Sequence, residues 1–255
     1  MSSYIGRHAE LYDIFYQDKP YAAEATFVHE CLQKYSDGKC HRLLELACGT
    51  GGHAFELERL GYRIVATDYS DDLLKVARRK AKEKKSYVDF RFQDMRKLDL
   101  PDGPFDAAYC LFDSIGYVQT NAGIRRVLDG VRTQLIPQGL FVYEFWHAAA
   151  MLRNFEPMRE RRWKTGGGEV VRKSSTRLDV AKQLAEVTYD IDDSGRNSHA
   201  NHLQETQINR FFLVQEMAAF LESCRFEPVE FLPAYERNAA ITEDTWHILA
   251  VARRP

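Results

Sequence analysis

Residues 43–53, Leu-Leu-Glu-Leu-Ala-Cys-Gly-Thr-Gly-Gly-His, limit the folds open to this chain more than any other stretch. The apolar run Leu43, Leu44, Leu46 and Ala47 reads as a parallel strand buried on both faces. Gly49, Gly51 and Gly52 then turn the chain sharply, and residues 54–60 begin a helix. Such turns need positive φ, and a side chain there would hold the backbone away from a bound nucleoside. Strand, glycine turn and helix form the first half of a mononucleotide-binding unit.

Two ligands compete for this turn. Gly49-x-Gly51-x-x-Ala54 satisfies the dinucleotide pattern. Against it stands Glu45, near the strand end and four residues before Gly49. A carboxylate aimed at a pyrophosphate repels it at short range, where little water screens the charge. A cationic amino group or sulfonium is attracted instead, and S-adenosylmethionine (SAM) carries both without a phosphate. The next apolar run, Arg63–Asp68, ends in an acid 19 residues past Gly49. That is near the ~20-residue offset of a carboxylate that accepts both ribose hydroxyls. NAD and SAM share this ribose, so Asp68 supports a nucleoside without choosing between them.

The rest of the chain continues the alternation. Tyr4, Tyr12, Phe15 and Tyr16 make an aromatic lead-in, and residues 22–35 read as an amphipathic helix. Ser70 is a plausible N-cap for a helix over 71–84. Strands are expected at 87–92, 105–110 and 140–145, with a helix over 121–135. Asp94 and Met95 end the first of these strands. Leu111 to Tyr117 follows the second, at the carboxyl edge where substrate chemistry is expected. From about residue 155 apolar and polar residues alternate, which predicts three antiparallel strands at 170–177, 185–192 and 203–213. The turn signals 192–195 and 196–198 separate the last two. The main fold then resumes with helix 215–224 and strands 227–232 and 245–252.

Composition narrows the partners. The 255 residues carry a formal net charge of −2, without the basic field that would draw nucleic acid or an anionic membrane. The cluster Arg159, Arg161, Arg162 and Lys164, broken by Glu160, reads as a solvated face. No apolar run approaches the roughly 20 residues that span a bilayer. The amino terminus lacks the apolar core of a secretory signal. Five cysteines without C-x-x-C spacing point to a cytoplasmic protein, and no histidine spacing invokes a metal.

Residues 45–51 resemble motif I of the class I SAM-dependent methyltransferases, usually Asp/Glu-x-x-Cys-Gly-x-Gly. The resemblance extends to the small-molecule N-methyltransferases that dimethylate amino sugars for macrolide antibiotics. It runs through Tyr4, Glu10 to Asp13, Asp94 to Arg96, Phe112 to Gly116, Leu135 to Gly139 and the inserted strands ending near Arg210. It implies a Rossmann-like α/β fold with a mostly parallel seven-stranded sheet flanked by helices and an inserted antiparallel subdomain. The chain is then one domain, with residues 1–40 a helical lid and 155–212 the insertion, which either covers the acceptor or makes a homodimer interface.

The resemblance also assigns roles. Glu45 holds the methionine end, Gly49 and Gly51 admit the backbone, Asp68 binds the ribose, and Asp94 with Met95 the adenine. Tyr12, Ala47, Tyr69 and Leu111 complete the expected cofactor site. Tyr4, Tyr117 and His147 are the candidate catalytic residues, with Glu144 placed to pair with a substrate amine and Trp146 to wall the pocket. After Ser-Ile-Gly the family carries a histidine that helps accept the amine proton, and this chain has Tyr117. The acceptor implied is a small molecule, most simply an amine. O- or C-methylation of a phenolic or carboxylate metabolite, or SAM binding without turnover, are the alternatives. Nucleic acid is disfavoured, since no Asn/Asp-Pro-Pro-Tyr loop follows the fourth strand.

Overall fold

The computed structural model describes residues 4–36, 38, 40–194 and 201–255. Two helices lead, α1 (Arg7–Phe15) and α2 (Tyr21–Tyr35). Alternation follows: β1 (Arg42–Leu46), α3 (Gly52–Arg59), β2 (Arg63–Asp68), α4 (Asp71–Lys84), β3 (Asp89–Phe92), β4 (Phe105–Cys110), α5 (Asn121–Gln134) and β5 (Leu135–Trp146). Next come α6 (Ala148–Asn154), β6 (Met158–Thr165), β7 (Gly168–Asp179), β8 (Leu184–Asp193) and β9 (Asn201–Arg210). The chain closes with α7 (Val214–Ser223), β10 (Glu227–Pro233) and β11 (His247–Arg253).

Seven strands form one sheet in the order β10-β11-β5-β4-β1-β2-β3. Within it β11 pairs antiparallel with both its neighbours, and the remaining pairs are parallel. The strand order reverses between β1 and β4, which opens a crevice at their carboxyl ends. Successive residues of β1 serve opposite faces, as the two-residue period of a strand requires. Leu43 packs with Val28, Phe55 and Leu74, whereas Leu44 packs with Ile124, Phe141 and Leu221. This burial on both faces explains the unbroken apolar run. No helix among the described residues is long and apolar enough to cross a membrane.

The best-specified element is α4, which starts and ends at the expected residues. Ser70 Oγ accepts from the amide of Leu73 at 3.3 Å, Asp71 and Asp72 occupy the first turn, and Lys82 and Lys84 the last. Each choice suits the helix dipole.

The insertion differs from expectation. It is a four-stranded antiparallel sheet, β6-β7-β8-β9, rather than three strands. The additional strand is β6, whose side chains are exposed apart from buried Trp163 and half-buried Thr165. Without an apolar face it gives no alternating signal. Its charges suit an edge strand, where they discourage pairing with another chain. Residues 195–198 of the expected turn lie outside the described residues. The two sheets meet at Gly116, where a Cβ would lie 1.6 Å from Asn209 Oδ1 on β9.

The glycine turn also has a packing rationale at two positions. Gly51 has φ +82°, but a Cβ there would sit 2.6 Å from Cζ of Phe90, and one on Gly52 2.4 Å from the Tyr21 ring. These two glycines make room for the rings of core Phe90 and half-buried Tyr21. Strain at positive φ and overpacking then act together on Gly51→Ala, which is expected to lose about 3 kcal/mol. A urea-unfolding midpoint unchanged from wild type would contradict this packing argument.

Candidate functional site

A cavity of about 920 Å³ lies between the carboxyl ends of β1, β2 and β3 and the inner face of the second sheet. Its size is ordinary for a small-molecule site. At the glycine turn, the buried Asp68 carboxylate accepts from Gly49 N at 2.8 Å and from Ser70 N at 2.7 Å. Gly51 N donates to Cys48 O at 2.9 Å. A pyrophosphate bound here would find these amides occupied and a carboxylate in their place. The turn therefore rejects the dinucleotide reading on geometry as well as charge. Burial raises the Asp68 carboxyl above its ordinary value, with the amide hydrogen bonds opposing.

The expected cofactor residues divide into two groups. Tyr12, Ala47, Gly49 and Asp68 line the cavity, as do Tyr69, Asp94 and Met95. Ala47 and Gly49 both have positive φ, so the backbone is wound tightly where it faces the cavity. Asp94 caps a short 3-10 helix, Met95–Lys97, and its carboxylate is gripped by the Arg96 guanidinium at 2.7 and 2.9 Å, which lowers its pKa. Glu45, Gly51 and Leu111 are absent from the wall. Leu111 is packed in the core. Glu45 lies 2 % exposed beneath the turn. Burial pushes its carboxyl well up, against the Tyr109 hydroxyl beside it, and its Oε2 has no hydrogen-bond partner.

At the other end, Tyr4 and Tyr117 meet over Gln207 of β9. Both hydroxyls donate to Gln207 Oε1, at 3.3 and 2.8 Å, and stand 3.5 Å apart. Tyr4 reaches there on a strap over residues 4–6. Its amide donates to both Glu205 oxygens at 2.9 and 3.0 Å, its carbonyl accepts from Ser70 Oγ at 3.0 Å, and Gly6 N donates to Asp72 at 2.8 Å. The strap thus spans from α4 to β9. Burial holds both phenols well above their ordinary pKa, so they are neutral hydroxyls rather than bases.

His147, the third catalytic candidate, is not on the cavity wall. It is the N-cap residue of α6, donates from Nδ1 to Thr245 O at 3.1 Å, and is kept neutral by burial. Trp146 lines the cavity as expected. Arg159, read from sequence as part of a solvated face, lines it too, because strand alternation turns it inward.

Glu144 is not free to meet a substrate amine. Its Oε2 accepts from Tyr235 at 2.6 Å and from Phe112 N at 2.9 Å, while Oε1 lies 3.0 Å from His247 Nδ1. The same nitrogen is 3.0 Å from Asp113 Oδ2. These three side chains are also close enough to share a metal ion. Glu144 alone was expected at the site, and no sequence signal groups the three, because they come from three separated segments. Burial would raise Glu144, but His247 overcomes it and takes the carboxyl down to about 2. Burial would lower His247, but Asp113 and Glu144 take it up to about 11. Burial and Glu144 raise Asp113 to about 6 against the pull of His247. The five cysteines are buried and free.

This triad couples stability to pH. Glu144 contributes stability above its ordinary 4.5 that disappears as pH falls toward 2. His247 contributes fully below 6.5 and loses that contribution as pH rises toward 11. Asp113 opposes folding increasingly from 3.8 to about 6. His247→Gln leaves two buried carboxylates without their cation. The His247 side chain is 41% exposed, so screening reduces the loss to about 2 kcal/mol at pH 8. At pH 5 the loss is expected to shrink, because the carboxyls can then share a proton. Urea titrations at the two pH values check this, and equal losses would refute it.

Comparison with known proteins agrees with the geometry. A methyltransferase domain model matches residues 43–139. A dTDP-3-amino-3,6-dideoxy-alpha-D-glucopyranose N,N-dimethyltransferase of Streptomyces fradiae is 29% identical over 236 residues, covering 91% of this chain and 88% of the relative. The structure of a SAM-dependent methyltransferase from Clostridium acetobutylicum superimposes with TM-score 0.82 at 17% identity, covering 97% of each chain. That of the sugar N-methyltransferase KedS8 from Streptoalloteichus gives 0.80 at 23%, covering 98% of this chain and 96% of the other. The structural likenesses establish the fold. Residues 43–139 thus match a methyltransferase domain, and over most of its length the chain is similar in sequence to an amino-sugar N,N-dimethyltransferase.

Proposed function

We propose that this enzyme methylates the nitrogen of a small amine, an amino sugar being the first class to consider, as a cytoplasmic catalyst. The observation that carries this is that, among the described residues, no free base faces the acceptor end. Tyr4 and Tyr117 are neutral, and the acids on the wall are already engaged: Asp94 by Arg96, Asp113 by His247 and Glu156 by Arg159. An alcohol or phenol needs a base in reach, whereas a neutral amine attacks with its own lone pair. The amino-sugar class is supported by what the Streptomyces relative is named for.

SAM, when bound, supplies a methyl group on a sulfonium leaving group. Gly49 and Ala47 would bring the backbone against the cofactor, Asp68 would accept from the ribose with its remaining lone pairs, and Asp94, Tyr69 and Met95 would hold the adenine. Glu45 lies beneath the turn with one buried oxygen still unmatched, a polar group that a cationic ligand end would face. The phenols of Tyr4 and Tyr117 orient the amine, and the lead-in of residues 1–40 serves as a lid. Alignment of this kind is worth several kcal/mol, roughly 7–11 in favourable cases.

Two measurements test this reading. Calorimetric titration of S-adenosylhomocysteine is expected to show micromolar binding in wild type and a loss of at least about 100-fold in Asp68→Ala, about 2.7 kcal/mol. No binding by wild type would end the proposal. Methyl-transfer assays on paired amines and phenols are expected to yield N-methylated products, with kcat reduced about tenfold in Tyr117→Phe. Turnover of phenols but not amines would replace the reading with O-methylation.

A further inference from the structure

Tyr4 and Tyr117 line the cavity, and the wall behind their hydroxyls sets which way the hydrogens point. That wall is β9, where Glu205 and Gln207 stand two residues apart and so share a face. The Glu205 carboxylate collects three donors. They are the amide of Tyr4, Nδ1 of the buried His8 at 2.7 Å and Nε2 of Gln207 at 2.8 Å. Burial would raise the Glu205 carboxyl, but His8, Gln207 and the Tyr4 amide outweigh it and hold the group below its ordinary value. An ionised carboxylate accepts hydrogen bonds and cannot donate them.

Gln207, only 4% exposed, is therefore turned one way. With Nε2 committed to Glu205, the end that reaches the phenols is Oε1, an acceptor with two lone pairs. It takes the hydrogen of Tyr4 at 3.3 Å and that of Tyr117 at 2.8 Å. Turning the amide over would set Oε1 against the carboxylate, two buried acceptors with no hydrogen between them. Each phenol has one hydrogen, so both are used inside the wall. What the two residues can still offer a ligand is oxygen lone pairs.

We infer that Gln207, oriented by Glu205, determines specificity by making Tyr4 and Tyr117 hydrogen-bond acceptors toward the substrate. This rests on the amine reading above and adds how the nitrogen is held. A nitrogen gripped through its N–H hydrogens has its lone pair directed away from the phenols, free for the methyl carbon. A group that brings only lone pairs meets lone pairs and is rejected. Glu205 is a positioning residue, acting through Gln207.

Neutron diffraction from deuterium-exchanged crystals reads these directions. Deuterons are expected on both phenol oxygens pointing at Gln207 Oε1, and on Gln207 Nε2 pointing at Glu205. An amide nitrogen facing the phenols, or a phenol deuteron directed into the cavity, overturns the inference. In solution, NMR titrations of enzyme saturated with S-adenosylhomocysteine compare aniline, which offers N–H donors, with nitrobenzene, which offers only acceptors. Gln207→Leu frees the phenol hydrogens, so the ratio of aniline to nitrobenzene affinity is expected to fall at least about fivefold from its wild-type value. A ratio that is unchanged or increased overturns the inference. If Gln207→Leu does not fold, the neutron result on wild type decides. Deuterons placed as expected in an enzyme that methylates no amine would count against the amine reading alone.

Discussion

The Asp68 carboxylate sits at the end of β2 with one oxygen on the amide of Gly49 and the other on that of Ser70. It fastens the turn after β1 to the turn before α4, and those two turns are the floor of the cavity. The arrangement inverts the usual use of a glycine turn, in which free amides collect a phosphate. Here the protein brings its own anion, and a ligand at this floor must be one that welcomes a buried acid. Glu45 beneath the same turn adds a second. Much of the choice between nucleotide ligands is thus made by two side chains before any ligand is present.

The second half of the site comes from joining two sheets. The Gly116 contact lets the loop after β4 lie against β9 without a side chain between them. That closeness is what brings Tyr117 within reach of Gln207, and Tyr4 then completes the group from the amino-terminal side. The buried Asp113 and Glu144, with the partly exposed His247, hold the same loop from the opposite direction. Phe112 and Asp113 have positive φ, a backbone conformation that persists because surrounding bonds over-determine it.

What sequence revealed follows the reach of each interaction. Strands β1, β2 and β4, and helix α4, were readable because apolar period, glycine and cap lie within a few residues of one another. Asp68 and Asp94 could be expected at the cavity because strand ends place acids at regular positions, and both line it. The fourth inserted strand was not readable, since an exposed edge has no apolar face. Gln207 and His247 were missed for another reason: each matters through partners far away in the chain. Gly51 was expected on account of a bound nucleoside, and its φ and the Phe90 ring give a packing reason for glycine there that the sequence does not display. Glu144 had the right position and the wrong freedom, because strand pairing with β11 delivers His247 to it.

The strap of residues 4–6 is held by a few hydrogen bonds to Glu205, Ser70 and Asp72, with Tyr4 at a φ of 60°. Such bonds contribute about 1 kcal/mol each, and the strained φ offsets part of that sum. One wall of the cavity is therefore its least anchored part. For handling the protein, this makes the amino terminus the wrong end for a dye or purification tag. A load placed there pulls on the side chain that faces the acceptor, whereas β11 at the other end is paired on both sides and leaves the cavity undisturbed.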